Sequence, residues 1–120
     1  MPTIESISAV TLATHDMARA VAFYEKLGFV RAYGGGDAAF TSFAVGRQHL
    51  NLILVDSAQR LSWWGRTIFY VDDVDGFWRQ ATAAGIAVDG RPQDAPWGER
   101  YFHVTDPDGH ELSFAVPLPG

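Results

Sequence analysis

The 120-residue chain carries 14 acidic and 9 basic side chains for a net charge of -5, with 48% hydrophobic and 19% charged residues. That size bounds it to one globular domain with a real core, and its scattered basic residues exclude a nucleic-acid footprint. It has no cysteine, which removes disulfide staples, thiolate metal sites and cysteine nucleophiles together.

No apolar run is long enough to span a bilayer. The N-terminus is read as lacking a signal peptide, so the cytoplasm is the expected location. Four tryptophans and eight phenylalanines are the compositional excess. Aromatics in such number fill a core or line a pocket.

In chain order, Ile4 to Thr14 alternates as a strand with Ile7, Val10 and Leu12 inward. Asp16 stands where a helix N-cap belongs. Met17, Ala20, Val21, Tyr24 and Leu27 make a helical stripe, and Gly28 occupies the left-handed C-terminal position. Strands are expected near Phe29–Tyr33, Ala39–Val45 and His49–Val55, punctuated by Gly34-Gly35-Gly36 and Gly46-Arg47-Gln48. Ser57 to Gly65 reads as a connector carrying Trp63 and Trp64.

The pattern then restarts. Thr67 to Val71 is a strand, Asp73 caps a second helix with the stripe Val74, Phe77, Trp78, Ala81 and Ala84, and Gly85 ends it. Asp16 and Gly28 are twelve positions apart, as are Asp73 and Gly85. A strand is expected at Ile86-Ala87-Val88, then a polar loop from Gly90 to Pro96. The last hairpin turns at Asp106-Pro107-Asp108-Gly109-His110, where Pro107 presets φ and Asp106 can bond the turn backbone. His110 in that turn and His15 before the first helix are expected to be solvated.

The fold class is therefore α+β: two βαβββ modules forming a curved, cup-shaped mixed sheet with helices on the outer face. The whole chain, 1–120, is one domain, with a first module over 1–56 and a second over 66–120. Two copies are too few for a solenoid. The concave sheet surface is a natural ligand cup.

The chain resembles the vicinal oxygen chelate superfamily, which includes glyoxalase I, extradiol dioxygenases, fosfomycin-modifying enzymes and bleomycin-resistance proteins. The carriers are Val10-Thr11-Leu12 through Asp16, Ala22-Phe23-Tyr24-Glu25-Lys26-Leu27-Gly28-Phe29, Phe69-Tyr70-Val71-Asp72-Asp73-Val74 and Asp106-Pro107-Asp108-Gly109-His110-Glu111-Leu112. These motifs specify the fold and leave the reaction open. Enzymatic members, the resemblance implies, hold a divalent metal through His, Glu or Gln at four cup-facing positions. Those positions fall here on Ala9, Asn51, Arg66 and Ser113. Alanine has no donor, arginine is a fixed cation, and neutral amide and hydroxyl oxygens are weak ligands. No metal and no other cofactor is expected. His49 and His103 share the cup parity and could hold a displaced metal or act as acid and base. Orienting hydrogen bonds are their simpler role.

Within that superfamily, the closest resemblance is to bleomycin-resistance proteins, carried by Ser8-Ala9-Val10 and by Pro96-Trp97-Gly98-Glu99-Arg100. It implies that Trp97 stacks on a flat drug ring. The expected activity is metal-independent sequestration of a planar aromatic or amphipathic small molecule, as in antibiotic resistance. Trp97, Trp64, Phe40, Phe43, Tyr70 and Tyr101 would stack, and His49, Asn51, His103 and Ser113 would supply hydrogen bonds. Arg66 and Arg100 are expected to bring positive charge near the cup. The alternative is a glyoxalase- or dioxygenase-like enzyme with a shifted metal site or a histidine base. Ser113 with His103 lacks the elbow of a nucleophile–base pair. The expected partners are the small-molecule ligand and a second copy in a homodimer, with no nucleic acid and no membrane.

Overall fold

A computed structural model describes residues 2–119. The chain forms two compact units, Met1–Arg60 and Leu61–Gly120, and each is a βαβββ module of α+β class. The first contains β1 (Ala9–Thr14), α1 (Met17–Leu27), β2 (Val30–Tyr33), β3 (Phe40–Val45) and β4 (Gln48–Leu54). The second contains β5 (Arg66–Tyr70), α2 (Val74–Ala83), β6 (Val88–Asp94), β7 (Glu99–Thr105) and β8 (Glu111–Pro117). The sheet orders correspond: β1-β4-β3-β2 and β5-β8-β7-β6. In each, the first strand runs parallel to the last and the other pairings are antiparallel.

The capping chemistry sets both helices. Asp16 is extended (φ -147°, ψ 96°) and its Oδ1 accepts from the Arg19 N–H at 3.0 Å. Asp73 does the same for Gly76 at 3.0 Å. Each carboxylate satisfies a donor that the first turn would otherwise leave unmade. Gly28 closes α1 at φ 112°, and the Phe29 N–H reaches the Tyr24 carbonyl at 2.9 Å. All five residues of the α1 stripe are buried.

Each helix covers one face of its sheet. In the first unit Leu12, Phe43, Leu50 and Leu52 lie under α1, and Tyr24 packs its ring 5.3 Å from Phe29 and 5.7 Å from Phe43. In the second, Phe69, Phe102, Val104, Leu112 and Phe114 are buried, and Phe77 of α2 stacks on Phe114 at 4.6 Å. The Gly34 turn is obligatory. At φ +83°, a Cβ there would stand 2.3 Å from the Phe40 carbonyl oxygen.

Several sequence expectations are corrected. β1 begins at Ala9, and Ile7 is exposed outside the sheet. The polar segment from Gly90 is largely strand: β6 continues to Asp94 through a register shift between Asp89 and Gln93. An edge strand tolerates Pro92 because an irregular ladder needs no donor there. Trp78 is half-buried, with its indole N–H on the Gly90 carbonyl at 2.9 Å. It therefore ties α2 to the start of that irregularity. Arg100 faces the helix side, where its guanidinium bonds Asp75 at 2.9 and 3.0 Å and Asp94 at 3.0 Å. Those bonds, Asp75 first, raise the Arg100 pKa further and hold the Asp75 carboxyl below its ordinary range.

His110 is buried, not solvated: it is 5% exposed, and its Nδ1 accepts the Trp64 indole N–H at 2.7 Å. His15 is half-buried and its Nε2 lies 2.7 Å from the Gln59 carbonyl. Around the turn, the buried Asp106 carboxylate accepts from the Asp108 and His110 backbone N–H groups, both at 2.9 Å. Removing an acceptor that serves one buried and one half-buried donor costs about 1–3 kcal/mol. Asp106→Ala is therefore expected to lower the urea midpoint accordingly, with Asp106→Asn recovering part of the loss.

Candidate functional site

Strand alternation places every second side chain on the face away from the helix. In the second unit, that face is crossed by three registered rows. Arg66 pairs with Glu111; Ile68, Ser113, His103 and Asp89 follow one another; then come Tyr70, Ala115, Tyr101 and Gln93. Glu99 lies beyond, opposite Pro117.

The loop entering β7 adds Trp97. The Gly98 N–H bonds the Ala95 carbonyl at 3.1 Å and the Ala95 N–H bonds the Glu99 carbonyl at 2.7 Å. Pro96 presets the first central position of this turn, and Gly98 takes φ 96°. The indole at the second central position is thrust outward and is 68% exposed.

The result is an aromatic ladder. Trp97 stacks on Tyr101 with centroids 5.8 Å apart and planes at 25°, and Tyr101 meets His103 at 4.9 Å. Tyr70 and Ile68 stand on the same face, 62% and 58% exposed. Glu99 ties the group together. Its Oε1 accepts from the Trp97 indole N–H at 3.0 Å and its Oε2 accepts from the Tyr70 hydroxyl. This carboxylate raises the Tyr70 pKa, chiefly through that hydrogen bond.

His103 Nδ1 is buried and has no hydrogen-bond partner among the described residues. Burial, and secondarily the Arg66 charge, lowers the His103 pKa from the usual 6.5. The ring is thus neutral at pH 7. Arg66 does not project free charge over this face, because its Nη2 bonds Glu111 Oε1 at 2.5 Å. That bond holds the Glu111 carboxyl below its ordinary range.

In the first unit, the face away from α1 carries Ala9, His49 and Ala44 in one row, and Thr11, Asn51, Ser42 and Tyr33 in the next. Asn51 Nδ2 donates to Thr11 Oγ1 at 3.3 Å. Phe40 lies on this face beside Tyr33, with centroids 6.3 Å apart. Phe43 does not. It is 0% exposed, wedged under α1 against Tyr24 and Phe29, because it sits three residues from Phe40 and so has the opposite parity. Trp64 belongs to the connector, half-exposed and held by His110. Glu99, Ile68, Asp89, Gln93 and Tyr33 were not among the sequence candidates. Glu99 was within reach, lying two residues from both Trp97 and Tyr101.

The positions that would hold a family metal all fall on these helix-free faces, and their donor set does not fit one. Ala9 has no donor, Asn51 is bonded to Thr11, Arg66 is a paired cation, and Ser113 is a nearly buried hydroxyl. Among the described residues, no group of three or more His, Asp or Glu is placed to bind an ion.

Residues 6–114 match the family model described as Glyoxalase/Bleomycin resistance protein/Dioxygenase superfamily. No curated protein matches the chain. Among solved structures, TioX from Micromonospora sp. ML1 is 28% identical, with a TM-score of 0.76 over 95% of this chain and 100% of that one. A bleomycin-binding protein complexed with bleomycin is 27% identical, with a TM-score of 0.73 over 94% and 98%. A lactoylglutathione lyase from Agrobacterium tumefaciens is similar in fold, at 23% identity and a TM-score of 0.78 over 96% of each chain.

Two measurements check the site. Phe43→Ala should cost about 3–5 kcal/mol of stability as a core truncation, read by urea unfolding. For His103, the folded-state pKa is depressed, so the unfolded chain binds the extra proton. Stability is then complete above the ordinary histidine value and falls as pH drops through it. An NMR titration should place the His103 midpoint below 6.5, and His103→Gln should flatten the stability loss on the acid side.

Proposed function

Because the chain belongs to the Glyoxalase/Bleomycin resistance protein/Dioxygenase superfamily, we propose that it captures a planar aromatic or amphipathic small molecule without a metal and without transforming it. The observation that carries this reading is the stack of exposed Trp97 on half-buried Tyr101, flanked by exposed Tyr70 and Ile68 on a helix-free face. Exposed rings anchored by hydrogen bonds lose little freedom when a flat partner stacks on them. Each such pair contributes about 0.5–1.5 kcal/mol beyond area burial.

Two further points support it. The inherited metal positions carry groups that do not fit a divalent ion. Relatives above 25% identity include a protein described as complexed with bleomycin, which makes sequestration of a drug-like molecule an activity compatible with this fold. In this reading the protein works as a homodimer, and resistance by sequestration is its biological use. His103 and Ser113 orient the ligand by hydrogen bonds rather than chemistry.

A second reading rests on the neutral, half-buried His103 imidazole beside Ser113, which could serve as a general base. Ligand recovery separates the two, since a bound molecule returned unchanged after long incubation excludes turnover.

Calorimetry with quinoline as a neutral flat probe should give saturable binding that a chelator leaves unchanged. Trp97→Ala should weaken it about tenfold, the loss of one good stack with its buried area. Binding abolished by the chelator would refute the metal-free reading.

A further inference from the structure

The Glu99 carboxylate stands among three aromatic side chains, and its hydrogen bonding decides what it can offer a ligand. We propose that Trp97, Tyr70, Tyr101 and Glu99 form a cation-selective cage whose preferred guests are flat molecules with a quaternary or delocalised positive charge. This deepens the reading above and rests on it, by assigning the charge of the ligand.

Three observations carry it. First, the rings supply π faces: Trp97 and Tyr70 are 68% and 62% exposed, and Tyr101 backs Trp97 in a stack. Cations are attracted to the faces of tryptophan and tyrosine, and the attraction grows when a carboxylate stands behind the rings. Second, both Glu99 oxygens are already engaged, Oε1 by the Trp97 indole and Oε2 by the Tyr70 hydroxyl. These two bonds fix the carboxylate among the rings, where its charge acts on a guest without any further bond. A guest that carries no N–H at all can still use that charge.

Third, Arg66 and Arg100 are each paired with carboxylates. Arg66 is four residues from Tyr70 along β5, roughly 13 Å at strand rise, and is paired with Glu111. Arg100, next in sequence to Glu99, turns to the other face and is bonded to Asp75 and Asp94. Neither of these arginines therefore cancels Glu99 at this end of the face.

The test compares N-methylquinolinium with quinoline, two flat bicycles of nearly equal size that differ in charge at neutral pH. In the native protein the cation should bind about tenfold more tightly, the range expected of a desolvated cation–π contact. Glu99→Gln keeps the side-chain shape and removes the charge. It should bring the two affinities within about threefold of each other, mainly by weakening the cation. Tyr70→Phe retains the carboxylate and should retain the preference. Added sodium chloride should weaken the cation and leave quinoline unmoved, a readout on the native chain that does not depend on a variant folding. Equal binding of the two probes, or a preference that survives Glu99→Gln, overturns the cation assignment and leaves the stacking site standing. Binding of neither probe overturns the stacking site itself.

Discussion

One face of each four-stranded sheet is committed to its helix, and strand alternation does the rest. Once Leu50 and Leu52 lie under α1, Asn51 and His49 must emerge on the other side. Once Phe102, Val104, Leu112 and Phe114 lie under α2, Tyr101, His103 and Ser113 must share the opposite surface. A one-residue slip would exchange the two sets, so the core pins the chemistry of the free face. The helices are held in turn by two carboxylates, Asp16 and Asp73, which occupy the same place in each unit.

That dependence explains which parts were legible beforehand. Caps and glycine stops are local, and the α1 stripe from Met17 to Leu27 is buried at every position read from its spacing. Parity is also local, and it put Ala9, Asn51, Arg66 and Ser113 on helix-free faces. Parity also separates Phe43 from Phe40, since residues three apart on one strand face opposite sides, and Phe43 is fully buried. Some errors came from long-range partners that no spacing reveals. His110 looks solvated until Trp64, 46 residues earlier, donates to it. Arg100 looks like a cup cation until Asp75 on α2 and Asp94 on β6 claim its guanidinium. The β6 strand was hidden by Gly90 and Pro92, which suit an irregular edge better than a regular ladder.

The free face of the second unit therefore owes its character to substitution and to pairing together. Alanine and serine at β8 keep its centre small, so the larger side chains at the margins define it. Arginine 66 and glutamate 111 cancel, whereas Glu99 spends its oxygens on holding two rings. Such a surface offers flat contact and the field around it.

The outer strands β2 and β6 share a defect. Each slips register against its inner neighbour, between Arg31 and Tyr33 and between Asp89 and Gln93. A foreign strand laid along such a margin meets donors and acceptors out of step, and every β2 side chain juts into water. Backbone pairing with another chain is thereby disfavoured along β2 and β6.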